Sequence, residues 1–144
     1  EECIEGSEYQ VTVLEQNGTV QMLPIVTYEF DTSKPVQFLT FTSRWEATTD
    51  TKTGFSAACL PVSSDIEARI KEMAYRTYSR LKFRDYARFD IRVRDGVPYM
   101  LEANSNPGID DSMDNGLALS FHAAGMDFGQ FLETIIHSAI ARSR

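Results

Sequence analysis

Cysteine and histidine are both scarce, with two of each in 144 residues, and this scarcity excludes several kinds of chemistry. Cys3 and Cys59 stand in no metal-binding spacing, and Cys59 lies in the apolar run AACLPV, where a buried free thiol is the ordinary state. A reducing compartment, the cytoplasm, is expected. His122 and His137 fall within helical patterns, so no Ser/His/Asp grouping can be assembled around them. No apolar run approaches the roughly 18 residues of a membrane helix, and a membrane partner is not expected. Positive charge is also short: 14 basic residues face 21 acidic ones, a net charge of −7. That balance argues against a general nucleic-acid surface and leaves polyanions to be met by local basic sites. No signal peptide is visible. The chain opens on Glu1 and not on Met, which reads as a processed or excised piece.

What is present suits one globular domain, long enough to build a core without disulfide or metal staples. EYQVTVLEQNGTVQMLPIVTYEF alternates apolar and polar residues on both sides of Asn17-Gly18, a dipeptide favoured in tight hairpin turns. Two antiparallel strands are therefore expected, and PVQFLTF suggests a third. TTDTKTG, from Thr48 to Gly54, is polar and aperiodic and reads as a surface loop. Ser64 with Glu67 suggests a capping box, and Ile66, Ile70, Met73, Ala74, Thr77 and Leu81 follow at helical spacing. A final helix has Asp127 and Gln130 as its cap and Phe128, Phe131, Leu132, Ile135, Ile136, Ala139 and Ile140 as its stripe. These elements predict an α+β fold, a mainly antiparallel sheet with helices packed on one face.

The most informative stretch is YARFDIRVRDGVPYMLEANSNPGI, Tyr86 to Ile109. Two strands are expected, Tyr86 to Val93 and Val97 to Ala103, joined by a three-residue loop Arg94-Asp95-Gly96. That loop sets Val93 opposite Val97, Asp90 opposite Met100 and Arg88 opposite Glu102. Glu102 then lies diagonal to Asp90, roughly 7–8 Å away between backbones, with Asn104 next on the same face. Ala87, Phe89, Ile91, Val97, Tyr99 and Leu101 form the core side. Two readings of the polar face stand together. It is the solvated side of an edge hairpin, with Arg88 and Glu102 as a cross-strand ion pair. Or it is a ligand site, since two carboxylates and an amide oxygen suit Mg²⁺ completed by phosphate oxygens and water. The following NSNPG turn, whose Gly108 allows close backbone approach to an anion, favours a ligand.

Taken in order, LEANSNPG, YARFDIRV and EECIEGSEYQVTVL resemble the C-terminal half of an ATP-grasp ligase, most closely the D-alanine:D-alanine ligase type. The resemblance covers nearly the whole chain. It implies that residues 1–144 form an ATP-grasp C-terminal subdomain, with the N-terminal and central subdomains preceding Glu1. It also implies that Asp90, Glu102 and Asn104 hold Mg²⁺ (or Mn²⁺) bridging the phosphates of ATP, with Glu102 serving two ions. Arg88 and the Gly108 amide become the pair that stabilises the tetrahedral oxyanion. The backbone around Glu2, Cys3 and Ile4 meets adenine, with Glu1 near its amino group, and Glu8 takes the ribose hydroxyls. Arg44, in FLTFTSRWEA, stands where the family has a phosphate-binding lysine, and a guanidinium can serve there as a bidentate fork.

The match departs after Gly108, where the family places a small hydroxyl residue for the acceptor carboxylate. Here the run is IDDSMDNG, about two residues longer, with Ser112 the nearest candidate. Asp110, Asp111 and Asp114 favour a cationic acceptor if they line the site, or they form a solvated acidic loop capping the next helix. The expected function is ATP-dependent carboxylate-amine ligation through an acyl phosphate, acting on small carboxylate and amine substrates in peptidoglycan synthesis. The full-length protein could be a homodimer, and the isolated chain is expected to be inactive. The alternatives are another ATP-grasp amino-acid or peptide ligase with a different acceptor, and a non-catalytic nucleotide-binding module.

Overall fold

A computed structural model describes residues 2–16, 18–33, 38, 54–113 and 115–143. PVQFLTF, apart from Phe38, and TTDTKTG, apart from Gly54, lie outside the described residues. Chain order is β1 (Ser7–Gln16), β2 (Thr19–Met22), β3 (Val26–Phe30), β4 (Phe55–Ala58), α1 (Ser64–Arg80), β5 (Tyr86–Arg94), β6 (Val97–Asn104), α2 (Gly116–Ala123) and α3 (Phe128–Arg142). Among the described residues the six strands form one antiparallel sheet in the order β4-β3-β1-β5-β6, with β2 on β1 beyond the end of β3.

β1 is the organising strand. It pairs with β2 and β3 along one edge and with β5 along the other, and Glu8 to Leu14 are all buried. Gln16 faces Thr19, which confirms a two-residue connection through Asn17-Gly18, with Gly18 at φ 74°. The expected second strand is two strands. Pro24, which has no N–H to give a ladder, lies between β2 and β3.

Side chains alternate along β1, so Tyr9, Val11 and Val13 point to one face and Glu8, Gln10, Thr12 and Leu14 to the other. On the first face, Ile70, Ala74 and Tyr78 of α1 pack against Tyr9, Val11, Val13, Ala87, Phe89, Ile91 and Val93. On the second, α2 and α3 cover one end through Leu117, Ala118, Phe121 and Phe131, packed on Leu14 and Tyr86. The α+β class and the antiparallel sheet are as expected, but the helices divide between both faces. α2 escaped detection because GLALSFHA is apolar all round and has no amphipathic period.

The helix ends follow the sequence pattern unevenly. Asp127 and Gln130 form the expected capping box, bonding at 2.8 and 2.9 Å. At α1 the cap residue is Ser63 rather than Ser64, and its side chain makes no capping bond. Tyr78 replaces Leu81 in the α1 stripe, leaving Leu81 exposed beyond the helix. In α3 the buried side is Phe131, Thr134 and Ser138, whereas Ile136 and Ile140 face outward.

The β5–β6 connection corrects the expected register. Arg94 pairs with Val97, so the turn has two residues, Asp95 and Gly96, at φ 53° and 75°. Positive φ at both central positions is the geometry that Asp-Gly favours in hairpins. A one-residue slip would turn every β6 side chain over, and a bulge between Asp90 and Ile91 cancels it halfway along. Leu101 is the extra residue and stands 50% exposed. Met100 and Ala103 therefore meet the core, in place of Val97, Tyr99 and Leu101.

Candidate functional site

The bulge places Asp90 directly opposite Glu102 and Arg88 directly opposite Asn104. The four expected polar residues share one face, more tightly grouped than a diagonal arrangement allows. Arg88 does not pair with Glu102. Its Nε and Nη2 donate to Oδ1 and Oδ2 of Asp90, two residues along the same strand, at 3.2 and 3.3 Å. Asp90 Oδ1 also accepts from Gln10 Nε2 at 3.1 Å. Glu102 is exposed, and Asn104 Oδ1 accepts the Asn106 N–H at 3.1 Å.

The NSNPG turn is held from below by Tyr86, whose hydroxyl donates to Asn106 Oδ1 at 3.0 Å or to the Pro107 carbonyl at 3.3 Å. Burial, reinforced by the Asp85 carboxylate, raises the Tyr86 pKa and keeps this donor protonated. A Cβ added at Gly108 would meet nothing within 4 Å. Among the described residues no contact requires glycine there, which is consistent with a backbone amide that faces a ligand.

Beyond the turn, Asp110 and Asp111 are exposed, and their carboxylates bond within the loop and to α2. Asp110 accepts from the Ser112 N–H and from Asn115 Nδ2, both at 2.8 Å, and Asn115 in turn caps α2 by accepting from Leu117 N at 2.9 Å. Asp111 Oδ1 lies 2.6 Å from Nε2 of His122 on α2. Of the two alternatives for this loop, Asp110 and Asp111 follow the helix-capping one; Asp114 lies outside the described residues. Ser112 is exposed, with its carbonyl accepting from Asn115 N at 2.9 Å.

At the opposite end of β1, the N-terminal segment is tied to β5. Arg92 is 4% exposed and Glu8 7%. Arg92 donates through Nε and Nη2 to Glu8 Oε2 at 3.0 and 2.9 Å, and through Nη1 to the Ile4 carbonyl at 2.8 Å. Its guanidinium carbon sits 5.7 Å from the centre of the Phe30 ring. Glu2 pairs with Arg94 at 2.9 Å, and Cys3 is an exposed free thiol. Glu1 and Arg44 lie outside the described residues. Arg92 and Gln10 were missed by sequence reasoning. The signal for Arg92 was period two, since Arg88, Asp90 and Arg92 all point to the same face as Glu8 and Gln10.

The donor set fits a hard divalent cation. Among the described residues no three His, Cys, Asp or Glu side chains gather to form a self-sufficient metal cage. Two facing carboxylates and Asn104 match the sparse protein ligation of Mg²⁺, which keeps waters and takes substrate phosphates for its remaining positions. Among the described residues no helix is long and apolar enough to cross a membrane.

Residues 1–137 match the family model described as D-ala D-ala ligase C-terminus. The chain is 30% identical over 140 residues to D-alanine--D-alanine ligase A of Bacillus cereus, covering 97% of this chain and 42% of that protein. It is 32% identical over 147 residues to D-alanine--D-alanine ligase of Clostridium perfringens, covering 100% and 43%. The fold is similar to the crystal structure of D-alanine--D-alanine ligase from Bacillus anthracis complexed with ATP. The TM-score there is 0.75 at 24% identity, over 98% of this chain and 40% of that one. The chain thus spans less than half the length of the curated relatives it matches.

Proposed function

The chain belongs to the D-alanine:D-alanine ligase C-terminal family of the ATP-grasp group, and from that premise we propose that it supplies the metal site and part of the nucleotide site of an ATP-dependent ligase joining a carboxylate to an amine. The observation that carries this reading is the direct facing of Asp90 and Glu102, with Arg88 and Asn104 beside them. D-alanine is the substrate named for its relatives. The partners that Asp110 and Asp111 find in Ser112, Asn115 and His122 support reading the loop as a cap on α2 and not as a cationic-acceptor site.

In this reading residues 1–144 act as the C-terminal subdomain of a longer cytoplasmic ligase, with ATP bound against the polar sheet face. Asp90, Glu102 and Asn104 hold Mg²⁺, which when bound neutralises charge on the transferring phosphoryl group. The substrate carboxylate takes the γ-phosphoryl group, and the amine then displaces phosphate from the acyl phosphate. Arg88, oriented by its double contact with Asp90, and the Gly108 amide, held in place by the Tyr86-anchored turn, stabilise the oxyanion. The segment Glu2 to Ile4 meets adenine, with Glu1 at its amino group, Glu8 at the ribose and Arg44 at the phosphates. No nucleophilic side chain is needed.

The test is phosphate release by the full-length protein with ATP, Mg²⁺ and single amino acids. Turnover with D-alanine, and a D-alanyl-D-alanine product, is expected. Turnover confined to amines other than D-alanine would refute the substrate assignment, and nucleotide binding without turnover on any amine would refute the ligase.

A further inference from the structure

Gln10 is 2% exposed and lies in the middle of the sheet, paired with Asp90 on β5 and Val26 on β3. A carboxylate can only accept, so the Gln10 amide must present its N–H to Asp90, as the 3.1 Å bond shows. This orientation aims Oε1 away from Asp90 toward α2, where it is buried and makes no hydrogen bond among the described residues. An unsatisfied buried acceptor costs stability, and its retention calls for a reason. The first residue of α2 is Gly116, and a Cβ there would collide with Gln10 Oε1 and come within 2.8 Å of its Cδ. Gly116 does not lie in the left-handed region, so backbone conformation does not demand glycine; space for the Gln10 amide does.

We propose that Gln10 is a positioning residue for Asp90, wedged against the start of α2 so that its amide holds the carboxylate in the orientation that binds the divalent cation. The inference rests on Asp90 being a metal ligand, as read above. Hydrogen-bond partners of ligating carboxylates commonly contribute about tenfold to a hundredfold in metal affinity. Gly116 is then part of the same device, because it leaves the amide room to reach Asp90.

The experiment titrates Mn²⁺ into the full-length protein with a saturating non-hydrolysable ATP analogue, reading free Mn²⁺ by electron paramagnetic resonance. Gln10→Met keeps the volume, removes the donor and removes the orphan acceptor. It is expected to weaken Mn²⁺ by about tenfold without lowering the unfolding midpoint, which a merely structural role would not produce. Gly116→Ala is expected to give a similar loss by pushing the amide off Asp90. In a Gln10→Ala background the same Gly116→Ala change should cost nothing further. Full Mn²⁺ affinity in Gln10→Met, or additive losses in the double variant, would overturn the proposal. Asp90→Asn separates the two levels. If it weakens Mn²⁺ while Gln10→Met does not, the positioning role alone fails, and if it has no effect, the metal assignment fails with it.

Discussion

Replacing Arg92 with Met tests how the nucleotide end of the site is built. The guanidinium makes two bonds to Glu8 Oε2 at 3.0 and 2.9 Å and one to the Ile4 carbonyl at 2.8 Å, in a site where both side chains are almost wholly buried. Met conserves much of the bulk but none of these donors. Breaking one side of a buried ion pair typically costs about 3–5 kcal/mol, because the other charge loses its compensation. At roughly 2–4 °C per kcal/mol for a chain of this size or larger, the unfolding midpoint should drop by about 10 °C. Calorimetry on the full-length protein reads this directly. Adding Glu8→Gln to Arg92→Met should restore most of the loss, since removing both charges leaves no uncompensated ion. Nucleotide affinity should stay low in the double variant, since the Ile4 carbonyl has lost its bond to Arg92. A midpoint shift under 2 °C, or a double variant no more stable than Arg92→Met, would refute the buried-pair reasoning.

Two further outcomes follow from the same geometry. Arg142 on α3 bonds both Asp85 oxygens, and this contact, the largest cause, holds the Asp85 carboxyl below its ordinary pKa. The stability it contributes is therefore present above the unfolded carboxyl value, about 3.9, and is lost as pH falls through the lower folded value. Arg142→Met should lower the unfolding midpoint at pH 7 and approach the parent protein in acid, and a gap that widened on acidification would contradict the assignment. Arg88→Met should lower kcat by about 10²–10³, the usual effect of removing one oxyanion donor. A fall of less than threefold would remove Arg88 from that role.

How much was legible follows from which signals are local. The polar face of the β5–β6 hairpin could be read because period-two alternation is written into RFDIRV and into Glu102 and Asn104. The exact pairing could not be read. It depends on a two-residue turn and a compensating bulge, whose effects cancel at Glu102 and Asn104 but not at Val97, Tyr99 and Leu101. Period two places Gln10 and Arg92 on the polar face, but their partners could not be read. Each acts through a strand far away in sequence, Gln10 on Asp90 and Arg92 on Glu8, and no local pattern marks such contacts. The family resemblance implied roles for Asp90, Glu102 and Asn104 but said nothing of the residues that contact them. The run of acidic residues left two readings open, and only the folded loop shows the oxygens of Asp110 and Asp111 serving the Ser112 amide, Asn115 and His122.

Asp90 and Glu102, facing each other across β5 and β6, are the proposed holders of the divalent cation, together with the ATP phosphates. The most direct measurement is Mn²⁺ affinity of the full-length protein with a non-hydrolysable ATP analogue, for the parent, Asp90→Asn and Glu102→Gln. Each variant should bind Mn²⁺ at least about tenfold more weakly than the parent. Parent-like affinity in both variants would contradict the account.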